Sequence, residues 1–466
     1  MSISTALLTA FSGMKAQSYA MANISGNIAN TQTPAYKSVD TTFSDLIDAR
    51  TAKQTVAGSV VAQARLTTSL QGTLRATGIA TNMAINGQGF FAVQQKAGDE
   101  KFSGVSLYTR RGDFTLNKDG YLVNGADLYL FGNNLDPATG SVQSSGPIKV
   151  NNVTLPGRPT TRIDYSANLP RTPATAAAAA GDTAPYAVAT AVVTNATLAA
   201  PDPGKRVVAA QSQALLDRSV PGPALTIYAA GGNPVSLSTR WAKVQEANPA
   251  SVPPRNAIWN LFYAASTTPS KPSDWINAGS AFSFDGSGKF LPPADANVGA
   301  DGGVTLAIPQ LTVDGVNAGD VTLNIATGGL TQLATSSNAV TTNTLGQDGY
   351  PAGSLKSLSV TAEGTIVGTF TNDMTANVAV AGVATFANPN GLKPSSGGSY
   401  EQTRDSGPPM AGLNGATITG GNIEASNSDV AGEFSKLIAT QQAYSANVKV
   451  MTAAQQMMSD LLNAVR

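Results

Sequence analysis

Apolar residues recur with a helical period at both ends of the chain and lose it in between. Residues 4–30 contain no proline, and Leu7, Phe11, Met14, Ser18, Met21, Ser25 and Ile28 are spaced alternately by four and three. That spacing places them on one stripe of a helix. Pro34 disfavours helical backbone before it, so the helix is expected to stop within residues 30–33. At the other end, Val430, Phe434, Leu437, Gln441, Tyr444, Val448, Met451, Gln455, Met458, Leu462 and Val465 hold the same alternation without a break. This reads as a heptad seam, with Gln441 and Gln455 as polar interruptions that would fix its register. Asp429 can cap the start, and Glu433 falls in the first turn, where negative charge is favoured. Helical from Val430 onward, the segment would be about 55 Å long.

Between the ends the pattern changes to short strands and turns. Residues 36–80 are rich in Thr, Ser and Ala and read as an extended, loosely packed arm. Residues 81–150 carry strand signals. Asn86-Gly87 precedes Phe90-Phe91-Ala92-Val93, and Lys118-Asp119-Gly120 separates two short apolar runs, as in a hairpin. Residues 170–185, with an alanine run from Ala176 to Ala180, read as a linker. Short apolar runs punctuated by Gly, Pro, Asn and Asp over 200–350 predict all-β structure. Strands return over 358–386, with Glu363-Gly364 as a turn. The expected fold is α+β, mainly β, with discontinuous domains. A helical core domain comes from 1–35 and 428–466, an arm from 36–80, an inner β domain from 81–150 and 351–427, and one or two outer β domains from 151–350.

Composition narrows the function. The 466 residues include no Cys and no His, which removes thiolate nucleophiles, imidazole bases and the Ser-His-Asp triad. Charged residues are only 12% and balance to a net charge of zero, so nucleic acid is not an expected partner. No run of 18 apolar residues suggests a membrane span. The N-terminus lacks the basic region of a cleaved signal peptide, so export is expected to use another route. Nothing points to a catalytic, cofactor or metal site. Gly87-Gln88-Gly89 precedes a strand, not the helix a dinucleotide site needs. Ser12-Gly13-Met14-Lys15 lacks the companion motifs of a Ser-Lys nucleophile. Asp45 with Asp48, and Asp295 with Asp301, are close in sequence only. Arg111-Gly112-Asp113 and the sequon at Asn195 are short patterns that arise by chance. No domain follows the C-terminal seam in the sequence, so its partner helix must come from elsewhere, and the N-terminal stripe is the obvious candidate.

The terminal segments also carry motifs. Ala22-Asn23-Ile24-Ser25-Gly26-Asn27-Ile28-Ala29-Asn30-Thr31-Gln32-Thr33-Pro34-Ala35-Tyr36-Lys37 resembles the signature of flagellar rod and hook proteins, with Ala35 where Gly is usual. Ile85-Asn86-Gly87-Gln88-Gly89-Phe90-Phe91, Tyr108-Thr109-Arg110-Arg111-Gly112-Asp113-Phe114 and Asp119-Gly120-Tyr121-Leu122-Val123 are similar to the motifs that follow. Gly421-Asn422-Ile423-Glu424-Ala425-Ser426-Asn427-Ser428-Asp429-Val430 matches the C-terminal one, with Ser428 where Val is usual. Gln441-Gln442-Ala443-Tyr444-Ser445-Ala446-Asn447 continues it. The motifs occupy about half the chain. The long middle, and Phe386-Ala387-Asn388-Pro389-Asn390-Gly391-Leu392, point to the hook type over the distal rod proteins.

The resemblance implies a helical homopolymer whose inner core is the terminal helices. It would be a curved, flexible hollow tube acting as a universal joint between rod and filament. The implied partners are further copies of the chain, the distal rod protein, the hook cap and hook–filament junction proteins, and the flagellar type III export apparatus. The implied location is the basal body and hook, outside the cell. A secreted β-rich adhesin is the alternative of a different class.

Overall fold

The computed structural model describes residues 3–46, 59–97, 102, 106–151, 153–182, 206–207, 212–266, 274–293 and 296–464. The fold is mainly β, with one long helix near each end of the chain: α1 (Ile3–Ala29) and, completing the helices below, α4 (Val430–Ala464). The short helices α2 (Ala176–Ala179) and α3 (Ser212–Asp217) lie between them. Two compact units form, Met1–Val153 with Ser354–Arg466, and Thr154–Gly353. The segments read as helical core, arm and inner β domain therefore cluster as one unit.

In this first, discontinuous unit the two halves of the chain are stitched by strand pairing. Leu74–Ala76 runs antiparallel to Asn422–Glu424, and Met83–Asn86 antiparallel to Thr417–Gly420. A larger antiparallel sheet centres on Phe90–Gln95, paired with Leu107–Thr109 and Leu128–Leu135. Phe90, Tyr108, Phe386 and Tyr400 pack edge to face at its heart, and Phe91 meets Phe114 on the other side. The alternation of a strand sends Phe90 and Phe91 to opposite faces, and both are buried. The hairpin read at Lys118-Asp119-Gly120 is present: Thr115–Leu116 pairs with Leu122–Val123, and Gly120 takes φ +81°.

The stretch 36–80 differs from the extended arm expected. Strands β1 (Val39–Leu46) and β2 (Ser59–Leu66) pair in antiparallel register from Val39 with Leu66 to Leu46 with Ser59, and both pack on α1. Thr and Ser are weak apolar signals, but β-branched Thr and Val suit a pleated ribbon once a helix covers one face.

The second unit holds two six-stranded sheets that share one core. One contains Arg162–Asn168 between Val316–Ile325 (parallel) and Thr341–Gln347 (antiparallel). The other runs through Val220–Tyr228, Pro234–Gln245, Ala257–Ala264 and Trp275–Phe284. Trp241, Trp259, Phe282 and Phe284 are fully buried in the core, and the Trp241 indole donates to the Tyr165 hydroxyl at 3.1 Å. The described part of the expected linker 170–185 is ordered. Thr175 caps α2 by accepting from the Ala178 amide at 3.2 Å, and Ala177 is buried. Asn195 and Asp295 lie outside the described residues.

Candidate assembly interface

The terminal helices pack on each other, but not through the stripes their apolar spacing suggests. On α1 the buried positions are Ala10, Gly13, Ala16, Ala20, Ile24 and Asn27. Leu7, Met14, Met21 and Ile28 of the expected stripe are only half-buried, and Phe11 is exposed. The reason is steric. A Cβ on Gly13 would stand 2.9 Å from the Asn447 side chain, so small residues are what let α4 approach here.

On α4 the seam is shifted by one residue in half of its positions. Leu437, Tyr444, Met451 and Met458 belong to the covered face, as expected. Their companions are Glu433, Thr440, Asn447 and Ala454, in place of Phe434, Gln441, Val448 and Gln455. Val448 is half-buried, whereas Val430, Phe434, Gln441, Gln455 and Leu462 are exposed, and Val465 lies outside the described residues. The 4-3 spacing holds, so the pairing keeps heptad geometry while leaving a second apolar face open. Exposed apolar side chains on it include Leu8 and Phe11 of α1 and Phe434, Ile438, Leu461 and Leu462 of α4.

The motif residues form a buried polar clasp where these helices join the β structure. Glu424 has no exposed side-chain surface, and it accepts from Lys37 Nζ at 2.5 Å, the Gly72 amide at 2.7 Å and Arg110 Nη1 at 3.4 Å. Lys37 Nζ also donates to the Leu70 carbonyl. Burial pulls the Lys37 ammonium below its ordinary range, and the Glu424 charge opposes that only in part. Arg110 is depressed for the same reason, again with Glu424 opposing. Its Nη2 donates to the Gly87 carbonyl at 2.7 Å, and its guanidinium lies 5.3 Å from the centre of the Phe90 ring. Gly87 and Gly89 have φ of +109° and +144°, conformations that a side chain would strain.

A second knot joins the helices. Asn27 Nδ2 donates to Glu433 at 3.0 Å, while its Oδ1 accepts from the Val39 amide at 2.9 Å and the Tyr36 hydroxyl at 3.2 Å. Burial, with the Glu433 charge, raises the Tyr36 phenol. Lys436 bridges Glu433 and Asp40, and the hydrogen bond to Asp40 raises its ammonium. Asn427 Oδ1 accepts from the Ser38 amide at 2.7 Å, and its Nδ2 reaches Thr67. Asn30 folds back on the Gly26 carbonyl to close α1, and Ala29 is exposed at its last turn. Ser426 accepts from the Ser428 amide, and Asp429 caps α4 by accepting from Gly432 at 2.9 Å. Ala35, where Gly is usual, takes φ +58° and donates its amide to Glu424 O at 2.8 Å, so the tight turn forms without glycine.

Arg110 was not among the residues singled out from the sequence. It sits in a quoted motif, but only the fold shows that it shares Glu424 with Lys37. Elsewhere in that motif Arg111 pairs with Asp113 at 2.9 Å, so the Arg-Gly-Asp tripeptide is closed on itself, and a Cβ on Gly112 would strike the Met83 carbonyl.

Comparison with known proteins agrees with the motifs. Residues 84–163 match the flagellar hook protein FlgE/F/G D1 domain, 223–350 the flagellar basal body protein FlaE D2 domain, and 419–464 the flagellar basal body rod FlgEFG protein C-terminal model. The chain is 29% identical over 476 residues to the flagellar hook protein FlgE of Brucella suis, covering all of both chains. It is 28% identical over 600 residues to that of Caulobacter vibrioides, again with complete coverage. Against the Escherichia coli hook protein it is 25% identical, over 97% of this chain and 98% of the other. A crystal structure of Helicobacter pylori flagellar hook protein FlgE2 aligns with a TM-score of 0.46 at 15% identity, over 74% of this chain and 98% of that one. The three matched segments together span more than half of the sequence, and the chain belongs to the flagellar hook and rod protein family.

Proposed function

We propose that the chain is the structural subunit of the flagellar hook and polymerises through its terminal helices. The observation that carries the mechanism is the open apolar face of α1 and α4. Leu8, Phe11, Phe434, Ile438, Leu461 and Leu462 are each at least half exposed. Large apolar side chains left exposed along a helix pair point to an interaction surface. The clasp at Glu424 and the knot at Asn27 hold the helical pair to the β structure, so a load on one is transmitted to the other.

On this reading the helices line a hollow tube, and it bends as a universal joint between rod and filament. The distal rod protein, cap, junction proteins and export apparatus are its partners, and it acts outside the cell. Electron microscopy of the purified, concentrated protein tests this. Curved hollow tubes are expected. Straight rigid tubes would assign the chain to the distal rod instead, and the absence of any polymer would overturn the reading.

A further inference from the structure

Resting on the reading that the chain polymerises through its terminal helices, we infer that Met457 is an oxidation site whose conversion to the sulfoxide blocks assembly. The sequence contains no cysteine, so thioethers are the sulfur groups this chain offers to an oxidant. Of its nine methionines, three stand close together on α4: Met451, Met457 and Met458. Met451 and Met458 belong to the face that packs on α1, and both are half-buried. Met457 lies off that face and is 51% exposed. Val450 lies seven residues before it and Leu461 four after, so the three share one side of the helix. Val450 and Leu461 are also just over half exposed. Met83 is the contrast, fully buried beneath the β structure of the first unit.

Reactivity follows access to the sulfur, and in the free monomer Met457 offers it. With hydrogen peroxide as oxidant, a sulfur lone pair attacks one peroxide oxygen. The S–O bond forms as the O–O bond breaks. The proton on the transferred oxygen passes to the departing hydroxide, which leaves as water. The thioether gives up two electrons and the peroxide takes them. The product replaces a flexible apolar side chain with a polar one that carries a strong acceptor oxygen. On the monomer that oxygen stays in water, so the fold is kept. When the open apolar side of α4 is covered in a tube, the oxygen must lose its water. Neither Val450 nor Leu461 can donate to it. An oxidised subunit therefore folds but does not add to the polymer.

The test starts from full-length monomer treated with dilute hydrogen peroxide, which is then removed with catalase. Peptide mass spectrometry should find Met457 oxidised ahead of Met451 and Met458, with Met83 spared. The critical concentration for tubes, read by sedimentation, should rise on the order of ten-fold while monomer dichroism is unchanged. Met457→Leu keeps an apolar side chain without the sulfur, so it should assemble after peroxide as well as before. Met374→Leu/Met410→Leu removes two exposed methionines of the β structure and should stay sensitive. Methionine sulfoxide reductases should restore the oxidised parent. An unchanged critical concentration in protein oxidised at Met457, or a Met457→Leu variant as sensitive as the parent, overturns the site and leaves polymerisation standing. If the untreated parent forms no tubes, both readings fall. Should Met457→Leu itself not assemble, Met457→Gln decides without any oxidant. It places a polar side chain of similar length at an exposed position, and an unchanged critical concentration there overturns the inference.

Discussion

Glu424→Gln tests whether the clasp holds the first unit together. The substitution keeps the shape of the side chain and removes its charge. Lys37 and Arg110 expose only 1% and 3% of their side chains, and Glu424 exposes none. The variant therefore leaves two buried cations without a counter-charge. Removing one partner of a buried ion pair costs about 3–5 kcal/mol, mostly the desolvation of the charge left behind. At an m of about 3 kcal/mol per molar urea, the unfolding midpoint of this unit should fall by roughly 1–2 M. The molecule supplies its own control. All three tryptophans, Trp241, Trp259 and Trp275, lie in the second unit. Indole fluorescence should keep its midpoint, while the far-ultraviolet dichroism gains an earlier transition. Lys37→Met/Glu424→Gln should cost less than the sum of its singles by more than about 1 kcal/mol, because the second change removes a charge the first has stranded. A Glu424→Gln variant within about 0.5 kcal/mol of the parent would refute the argument, as would an equal shift in both signals.

The remaining predictions concern the helices and the two departures from the usual motif. Phe434→Asp and Val448→Asp should abolish polymerisation while monomer dichroism stays near normal, with Lys449→Asp milder; normal tubes from Phe434→Asp would exclude the open face from assembly. In the single chain the paired helices leave Leu8, Phe11, Phe434, Ile438, Leu461 and Leu462 exposed. Their amides should exchange rapidly in a verified monomer and slowly in tubes, and full protection in the monomer would contradict this. Ala35→Gly relieves a left-handed backbone and should stabilise the first unit by about 0.5–1 kcal/mol in urea titrations, whereas a loss of that size would show that the turn is unstrained. The Ser428 hydroxyl is buried with no partner among the described residues, so Ser428→Val should raise stability by about 1 kcal/mol, and a drop would mean that the hydroxyl is satisfied.

The sequence by itself determined where the helices lie. A 4-3 apolar alternation survives any packing arrangement, and the proline at 34 and the carboxylate at 429 mark ends through local backbone chemistry alone. It also determined the strand-rich middle and the turn at Gly120, because Gly takes the positive φ of a tight turn without steric cost. It did not determine which face of each helix is covered. Phe11 and Phe434 are strong apolar signals, yet Ala10, Gly13, Ala16 and Ala20 form the covered face, because close approach of two helices selects small side chains and not hydrophobic ones. Nor could spacing reveal that Thr- and Ser-rich residues 39–46 and 59–66 pair as a ribbon, since their burial depends on α1 lying beside them. The motif positions were legible as positions, but their chemistry was not. Lys37, Arg110 and Glu424 are more than 300 residues apart at the extremes, and only the strand pairing of Leu74–Ala76 with Asn422–Glu424 brings them into one dry site. A buried charge is tolerable only beside its partner, and that adjacency belongs to the tertiary structure.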